Sequence, residues 1–142
     1  MKSQHTVIVD TSALISLLSE DDSLHEQAVT LATQLRHKNQ LLIIPAEVLA
    51  ETLVVLRPRV GKEKTVAIGT ELLSSPEITV VPTQQQTLHQ TLTKLMETTG
   101  GPSYIDCLVM ATADEYQTTQ IFGFDAAFDK NGYVLPEAEQ AA

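Results

Sequence analysis

The chain is short of several things, and each shortage excludes something. One cysteine, Cys107, stands in 142 residues, so no disulfide forms within the chain and a reducing compartment is expected. The longest apolar runs, such as Leu41-Leu42-Ile43-Ile44, fall far below the ~20 residues that cross a bilayer. The first residues carry Lys2 and His5 but no apolar stretch with a small-residue cleavage site, so a secretory leader is not expected. These absences predict a soluble cytoplasmic protein with no membrane partner. Bases are scarce too: 9 Lys and Arg face 18 Asp and Glu, for a net charge of −9. That argues against a general nucleic-acid coat, which leans on Lys and Arg to meet phosphates. It leaves room for a nucleic-acid enzyme whose acids gather at a metal. The histidines, His5, His25, His37 and His89, are scattered, and no thiolate pair exists to join them, so a zinc site is not expected.

What is present is enough for one domain, residues 1–142, with a real core: hydrophobic residues make up 43% of the chain. Strand and helix signals alternate. Strands are expected at 6–10, 41–44, 78–81 and 120–124, with a last short one at 133–135. Helices are expected at 11–19, 23–38, 45–56, 61–75, 84–98 and 103–117, with a helical turn at 125–130 and a frayed Ala-rich end. Helix 23–38 places Leu24, Ala28, Leu31, Ala32 and Leu35 on one face. Pro45 suits a first helical turn, and Arg57-Pro58 is expected to end that helix. No repeat or linker interrupts the pattern. The alternation predicts an α/β sandwich around a mostly parallel sheet. Ligand sites in such sheets lie outside the carboxyl ends of the strands.

Acids stand at such places. VIVD ends a strand in Asp10, and IFGFD closes another in Asp125. Glu51 lies in helix 45–56 among Val48, Val54 and Val55, and Asp106 is followed at helical spacing by Val109, Met110 and Ala113. Each has an ordinary reading. Asp10 and Asp125 can cap the helices that follow, Glu51 can edge a buried face, and Asp106 can answer a helix dipole. Glu47, Asp114 and Asp129 read as surface acids. The four together can also converge, and converged carboxylates repel unless a cation joins them. Oxygen ligands suit Mg²⁺ or Mn²⁺, and such ions activate water and stabilise the oxygens of a phosphodiester under attack. The bases Arg57, Arg59, Lys62 and Lys64 cluster in RPRVGKEK, which reads as a solvated turn or as a contact for a substrate or partner.

VIVDTSALISLL, PAEVLAETLVVL, YIDCLVMATA and IFGFDAAF, in this order over nearly the whole chain, resemble the PIN domain family, the nuclease fold common among VapC-type toxins. The resemblance implies a Rossmann-like three-layer α/β/α sandwich with a parallel sheet of about five strands and acids gathered at one sheet edge, with Asp10, Glu51, Asp106 and Asp125 as catalytic metal ligands, directly or through water. It implies Mg²⁺- or Mn²⁺-dependent cleavage of RNA, in which activated water attacks phosphorus and no side-chain nucleophile is needed. Ser12 then orients an acid or a water, or is simply a capping hydroxyl. It further implies a homodimer and a small antitoxin in a groove of the early helices, where Leu14, Leu17, Val54 and Val55 are candidates; core packing is the other reading of these four. Many relatives have Thr where this chain has Gly123, so a hydroxyl near Asp125 is missing. Other classes fit less well. A haloacid-dehalogenase-type phosphotransferase needs a second Asp where Ser12 stands. A receiver domain needs an acidic pair beside the first strand's end, yet Val9 and Thr11 flank Asp10, and its late Lys would be Lys130, which follows no convincing strand. A non-catalytic module of the same fold, and an RNA-processing nuclease with no antitoxin, are the remaining alternatives.

Overall fold

Four short strands find their neighbours in an order that the chain does not follow. A computed structural model describes residues 5–136; Lys2 and the Ala-rich end lie outside them. Strand β1 (Thr6–Val9) pairs in parallel with β2 (Leu41–Pro45) on one side and β4 (Ile121–Phe122) on the other. Strand β3 (Ile78–Val81) extends the sheet beyond β2, giving the order β3-β2-β1-β4. All three pairings are parallel, so each connection crosses over through helices. The first two crossovers step outward from β1: α1 (Thr11–Leu18) with α2 (His25–His37), then α3 (Ala46–Val60) with α4 (Lys62–Ser74). The third returns across the sheet through α5 (Gln85–Glu97) and α6 (Tyr104–Glu115), and the short α7 (Ala126–Lys130) follows β4. Crossovers of one hand put helices on opposite faces when the direction of travel reverses, and the contacts agree. Helix α1 packs with α2 and α3, and α3 with α4, whereas α6 packs with α5, α7, β1 and β4. The result is the expected three-layer α/β/α sandwich.

The core follows from residue type. Val7, Ile8 and Val9 of β1 are 3% exposed or less, as a central parallel strand covered on both faces requires. Helix α6 is buried from Cys107 through Ala113, and its Ala111 and Ala113 are small enough to let α5 and the sheet close on it. In α2, Ala28, Leu31 and Leu35 are buried as expected, while Leu24 lies outside the helix and is exposed.

Three expectations need correction. The sheet has four strands among the described residues instead of about five. The segment at 133–135 contributes one parallel bridge, Gln120 to Val134, because only two residues of β4 are available to receive a neighbour. Helix α3 does not stop at Arg57-Pro58 but carries Pro58 within it and ends at Gly61, whose φ of +89° breaks the helix. Near a helix end, a missing N–H is a local loss, and a residue able to take positive φ decides the stop. Pro45 belongs to β2, where it pairs in register with Val81, and α3 begins one residue later.

Candidate active site

The order β3-β2-β1-β4 reverses between β1 and β4, since β1 departs toward β2 and the chain comes back to β1's other side. Splayed connections leave a crevice at such a switch point, beyond the carboxyl ends of the strands. Asp10 is the first residue past β1, and Asp125 closes the segment after β4.

Asp10 is 3% exposed. Its Oδ2 accepts from the Ser12 N–H at 3.2 Å and from the Ser12 Oγ–H at 2.8 Å, so it caps α1 as the local sequence suggests. Its Oδ1 is buried with no hydrogen-bond partner. Burial pushes the Asp10 carboxyl up to about 6; the Ser12 hydroxyl opposes that and the charge of Asp106 adds to it. Half-buried Asp106 is raised as well, first by desolvation, then by the charges of Asp125 and Glu51. Asp106 therefore interacts electrostatically with each of the other three acids. It is held in place by a reciprocal cap on α6: Ser103 N–H donates to Asp106 Oδ2 at 2.9 Å, and Asp106 N–H donates to Ser103 Oγ at 3.1 Å. Asp125 caps α7 through Oδ1, which accepts from the Ala127 N–H at 2.8 Å. Glu51 is exposed on α3.

Ser12 does more than cap. Its Oγ donates to Asp10 and accepts from the Phe124 N–H at 3.0 Å, which ties the end of β1 to the segment carrying Asp125. Gly123 lies inside this junction. A Cβ built there would stand 2.8 Å from the Asp10 Cβ and 2.7 Å from the Phe128 ring, so the position has no room for a side chain. The hydroxyl noted as missing from the sequence is thus sterically shut out, and the Ser12 hydroxyl stands at the same junction.

A divalent cation fits this donor set. An unpartnered, buried carboxylate oxygen is costly in a protein interior, and a cation offers Asp10 Oδ1 the partner it lacks. Asp10, Asp106 and Asp125 each spend one oxygen on a cap and keep the other. Among the described residues no three His, Cys, Asp or Glu stand close enough to clasp an ion as placed. Mg²⁺ does not require such a cage, because it commonly takes one or two carboxylates and keeps its waters.

The other sequence candidates fall elsewhere. Arg57, Arg59, Lys62 and Lys64 are exposed on both sides of Gly61. Arg59 and Lys64 line a cavity of about 560 Å³ with Glu20, Asp21 and Asp22. Asp22 is held below the usual carboxylate range, chiefly by the Leu24 N–H and the Ser16 hydroxyl, with Arg59 assisting. Leu14 is core rather than groove at 2% exposure, and Val54 is open at 73%. Glu47 accepts from Thr83 Oγ at 2.8 Å, joining the start of α3 to the end of β3. Asp114, read as a plain surface acid, takes Lys94 Nζ at 2.7 Å and the Tyr133 hydroxyl at 2.8 Å. That cluster, Ser103 and the close approach at Gly123 escaped sequence reasoning. Of these, only the S-x-x-D spacing before an apolar helix carried a signal.

A parallel sheet with a switch point between β1 and β4, and acids just past both strands, defines a class of doubly wound α/β domain. The particular family is the PIN domain family: its model matches residues 7–132, and the chain belongs to it. Among solved structures, Mycobacterium tuberculosis VapC20, described as a sarcin–ricin loop cleaving toxin, matches with a TM-score of 0.80 at 23% identity. The match covers 90% of this chain and 96% of that one, and it shows a shared fold. No curated protein matches the chain by sequence. No helix among the described residues is long and apolar enough to cross a membrane.

Proposed function

We propose that the chain is an endoribonuclease, the toxin of a toxin–antitoxin pair, with Asp10, Glu51, Asp106 and Asp125 as its catalytic acids and Mg²⁺ or Mn²⁺ as its cofactor. The observation that carries this reading is Asp10: a buried carboxylate at the switch point, one oxygen capped and the other without a hydrogen-bond partner, pushed up by its burial and further by the charge of Asp106. The cation supplies water activation and charge stabilisation at the phosphodiester. Asp10 would hold it from the sheet side, Asp106 from the first turn of α6, and Asp125 and Glu51 from the rim. Ser12 fixes the Asp10 carboxylate, and Ser103 fixes that of Asp106. With 18 acids against 9 Lys and Arg, RNA affinity needs a local source of positive charge. The cation is one, and the exposed Arg57, Arg59, Lys62 and Lys64 are the other.

The fold likeness to VapC20 and the family membership favour the toxin role over RNA processing. For an antitoxin, an apolar cavity of about 420 Å³ lies between α2 and α4, lined by Leu17, Val29, Ala32, Ile68 and Leu72 among others. Leu17 alone of the four residues considered for such a groove belongs to it. Purified chain with Mg²⁺ or Mn²⁺ should cut RNA and lose activity on chelation. Asp10→Asn and Asp106→Asn should each abolish cutting while the circular dichroism spectrum stays native. Cleavage by both variants at the wild-type rate overturns the assignment and points to a contaminant.

A further inference from the structure

The loop between α5 and α6 contains residues that leave a backbone loose, yet it ends on Ser103, which caps α6 and holds the Asp106 carboxylate. Gly100 and Gly101 stand at φ +87° and +67°, a region that side chains disfavour. Two such residues allow many conformations, so the approach to Ser103 needs an anchor. Asn131, just past α7, supplies one. Its Oδ1 accepts from the Thr99 N–H at 3.1 Å, and its Nδ2 donates to the Thr99 carbonyl at 2.8 Å. The same Nδ2 donates to the Ala127 carbonyl at 2.8 Å. The amide thus pairs with both main-chain groups of Thr99 at once, as a neighbouring strand would. Gly100 lies against α7 as well: a Cβ built on it would stand 3.0 Å from Lys130 Cδ and 4.0 Å from the Ala127 Cα.

We infer that Asn131 is a positioning residue, a clamp that sets Asp106 relative to Asp125. Ala127 is the link between the two. Its N–H donates to Asp125 Oδ1 at 2.8 Å, and its carbonyl takes the Asn131 amide. A continuous path of hydrogen bonds therefore runs from Asp125 through Ala127 and Asn131 to Thr99, in the loop that leads to Ser103 and Asp106. The backbone at Asn131 is itself fixed. Its N–H donates to the Phe128 carbonyl at 3.2 Å, and the Tyr133 N–H donates to the same carbonyl at 3.0 Å. Asn131 bonds to neither acid; it acts on one through the loop and on the other through α7. An outer partner that orients metal ligands in this way typically governs metal affinity by about tenfold or more. The effect on a bound cation rests on the nuclease reading above, whereas the clamp itself is a property of the metal-free chain.

Amide hydrogen exchange of the metal-free chain, followed by NMR, reads the clamp. The Ser103 and Asp106 N–H groups bond to each other's side chains and not to Asn131. Asn131→Ala should nevertheless speed their exchange by about tenfold, with the circular dichroism spectrum native. Thr99→Ala should change nothing, because Thr99 offers Asn131 only its backbone. Tyr133→Phe takes a hydrogen bond from the opposite end of α6 and should leave both amides unmoved. If Asn131→Ala fails to fold, Asn131→Asp, of the same shape but without the Nδ2 donor, answers the exchange question. In calorimetric titration Asn131→Ala should bind Mn²⁺ about tenfold more weakly than wild type or either control. On RNA at sub-saturating Mn²⁺ it should lose kcat with KM little changed, since the clamp orders acids and not substrate contacts. Exchange at Ser103 and Asp106 as slow as in wild type overturns the clamp. Faster exchange with wild-type Mn²⁺ affinity and kcat overturns its role at the site. A wild-type chain that neither binds Mn²⁺ nor cuts RNA overturns the nuclease reading instead, and the exchange result still decides the clamp.

Discussion

At the scale of single residues, Asp10 is in tension with its own fold. The folded chain holds the Asp10 proton up to about 6, whereas an ordinary Asp releases it near 3.8. Between these values the folded state binds more protons than the unfolded one, so stability falls as pH rises through this window. At neutral pH without divalent ions the ionised side chain costs about 3 kcal/mol. Asp10→Asn removes the charge but can still accept from Ser12, so metal-free Asp10→Asn should melt above wild type at pH 7.5 and near it at pH 4. Added Mn²⁺ should raise the wild-type melting temperature and leave that of Asp10→Asn unmoved, because a ligand stabilises only the state that binds it. Scanning calorimetry at the two pH values, with and without metal, checks both statements. Ser12→Ala takes the hydroxyl from both Asp10 and the Phe124 N–H. It should weaken Mn²⁺ binding measured by calorimetric titration, with Ser12→Thr restoring part of the loss.

At the scale of elements, caps and breakers decide where helices begin and end. Ser103→Ala removes half of the reciprocal cap on α6 and should cost about 1 kcal/mol in urea unfolding. Gly61 and Gly123 fail differently when substituted. Around Gly61 there is open space, so Gly61→Ala meets only an unfavourable backbone at φ +89° and should cost about 1–3 kcal/mol while activity per folded molecule is kept. This scale also separates what the sequence made legible. The strands, with Asp10 and Asp125 beyond two of them, could be read because apolar runs ending in a carboxylate are local patterns, and the strand–helix alternation then ordered the strands around one sheet. The end of α3 could not, since Pro58 and Gly61 give competing local signals and only the helix's packing and its bond from the Gly61 N–H to the Arg57 carbonyl show which prevails.

At the scale of the whole molecule, the Lys94–Asp114–Tyr133 cluster joins three parts of the chain that the sheet does not. Tyr133 donates to Asp114 at 2.8 Å, and Lys94 lies 5.7 Å from the centre of its ring. Burial first, and then Asp114, push the Tyr133 hydroxyl up to about 12, so it stays protonated and donating across the accessible pH range. Tyr133→Phe should therefore cost about 1 kcal/mol at neutral pH, with the loss unchanged from pH 6 to 9 in denaturant titrations. Charge acts at this scale as well. Reversing Arg57 and Lys62 together to Glu should raise KM for RNA with little change in kcat, and the effect should shrink as salt is added, the signature of electrostatic attraction and not of chemistry.

The absent side chain at position 123 bears on how this protein could vary. The end of β1 and the segment after β4 close on each other there, with the Asp10 Cβ and the Phe128 ring filling the space a side chain would take, so the seam between the first and last thirds of the sequence is set by what is missing from it. A library randomised at this codon and selected for activity should return glycine and little else, even though the backbone makes no conformational demand for it. A larger residue there requires the Phe128 ring to move or the Asp10 backbone to give way.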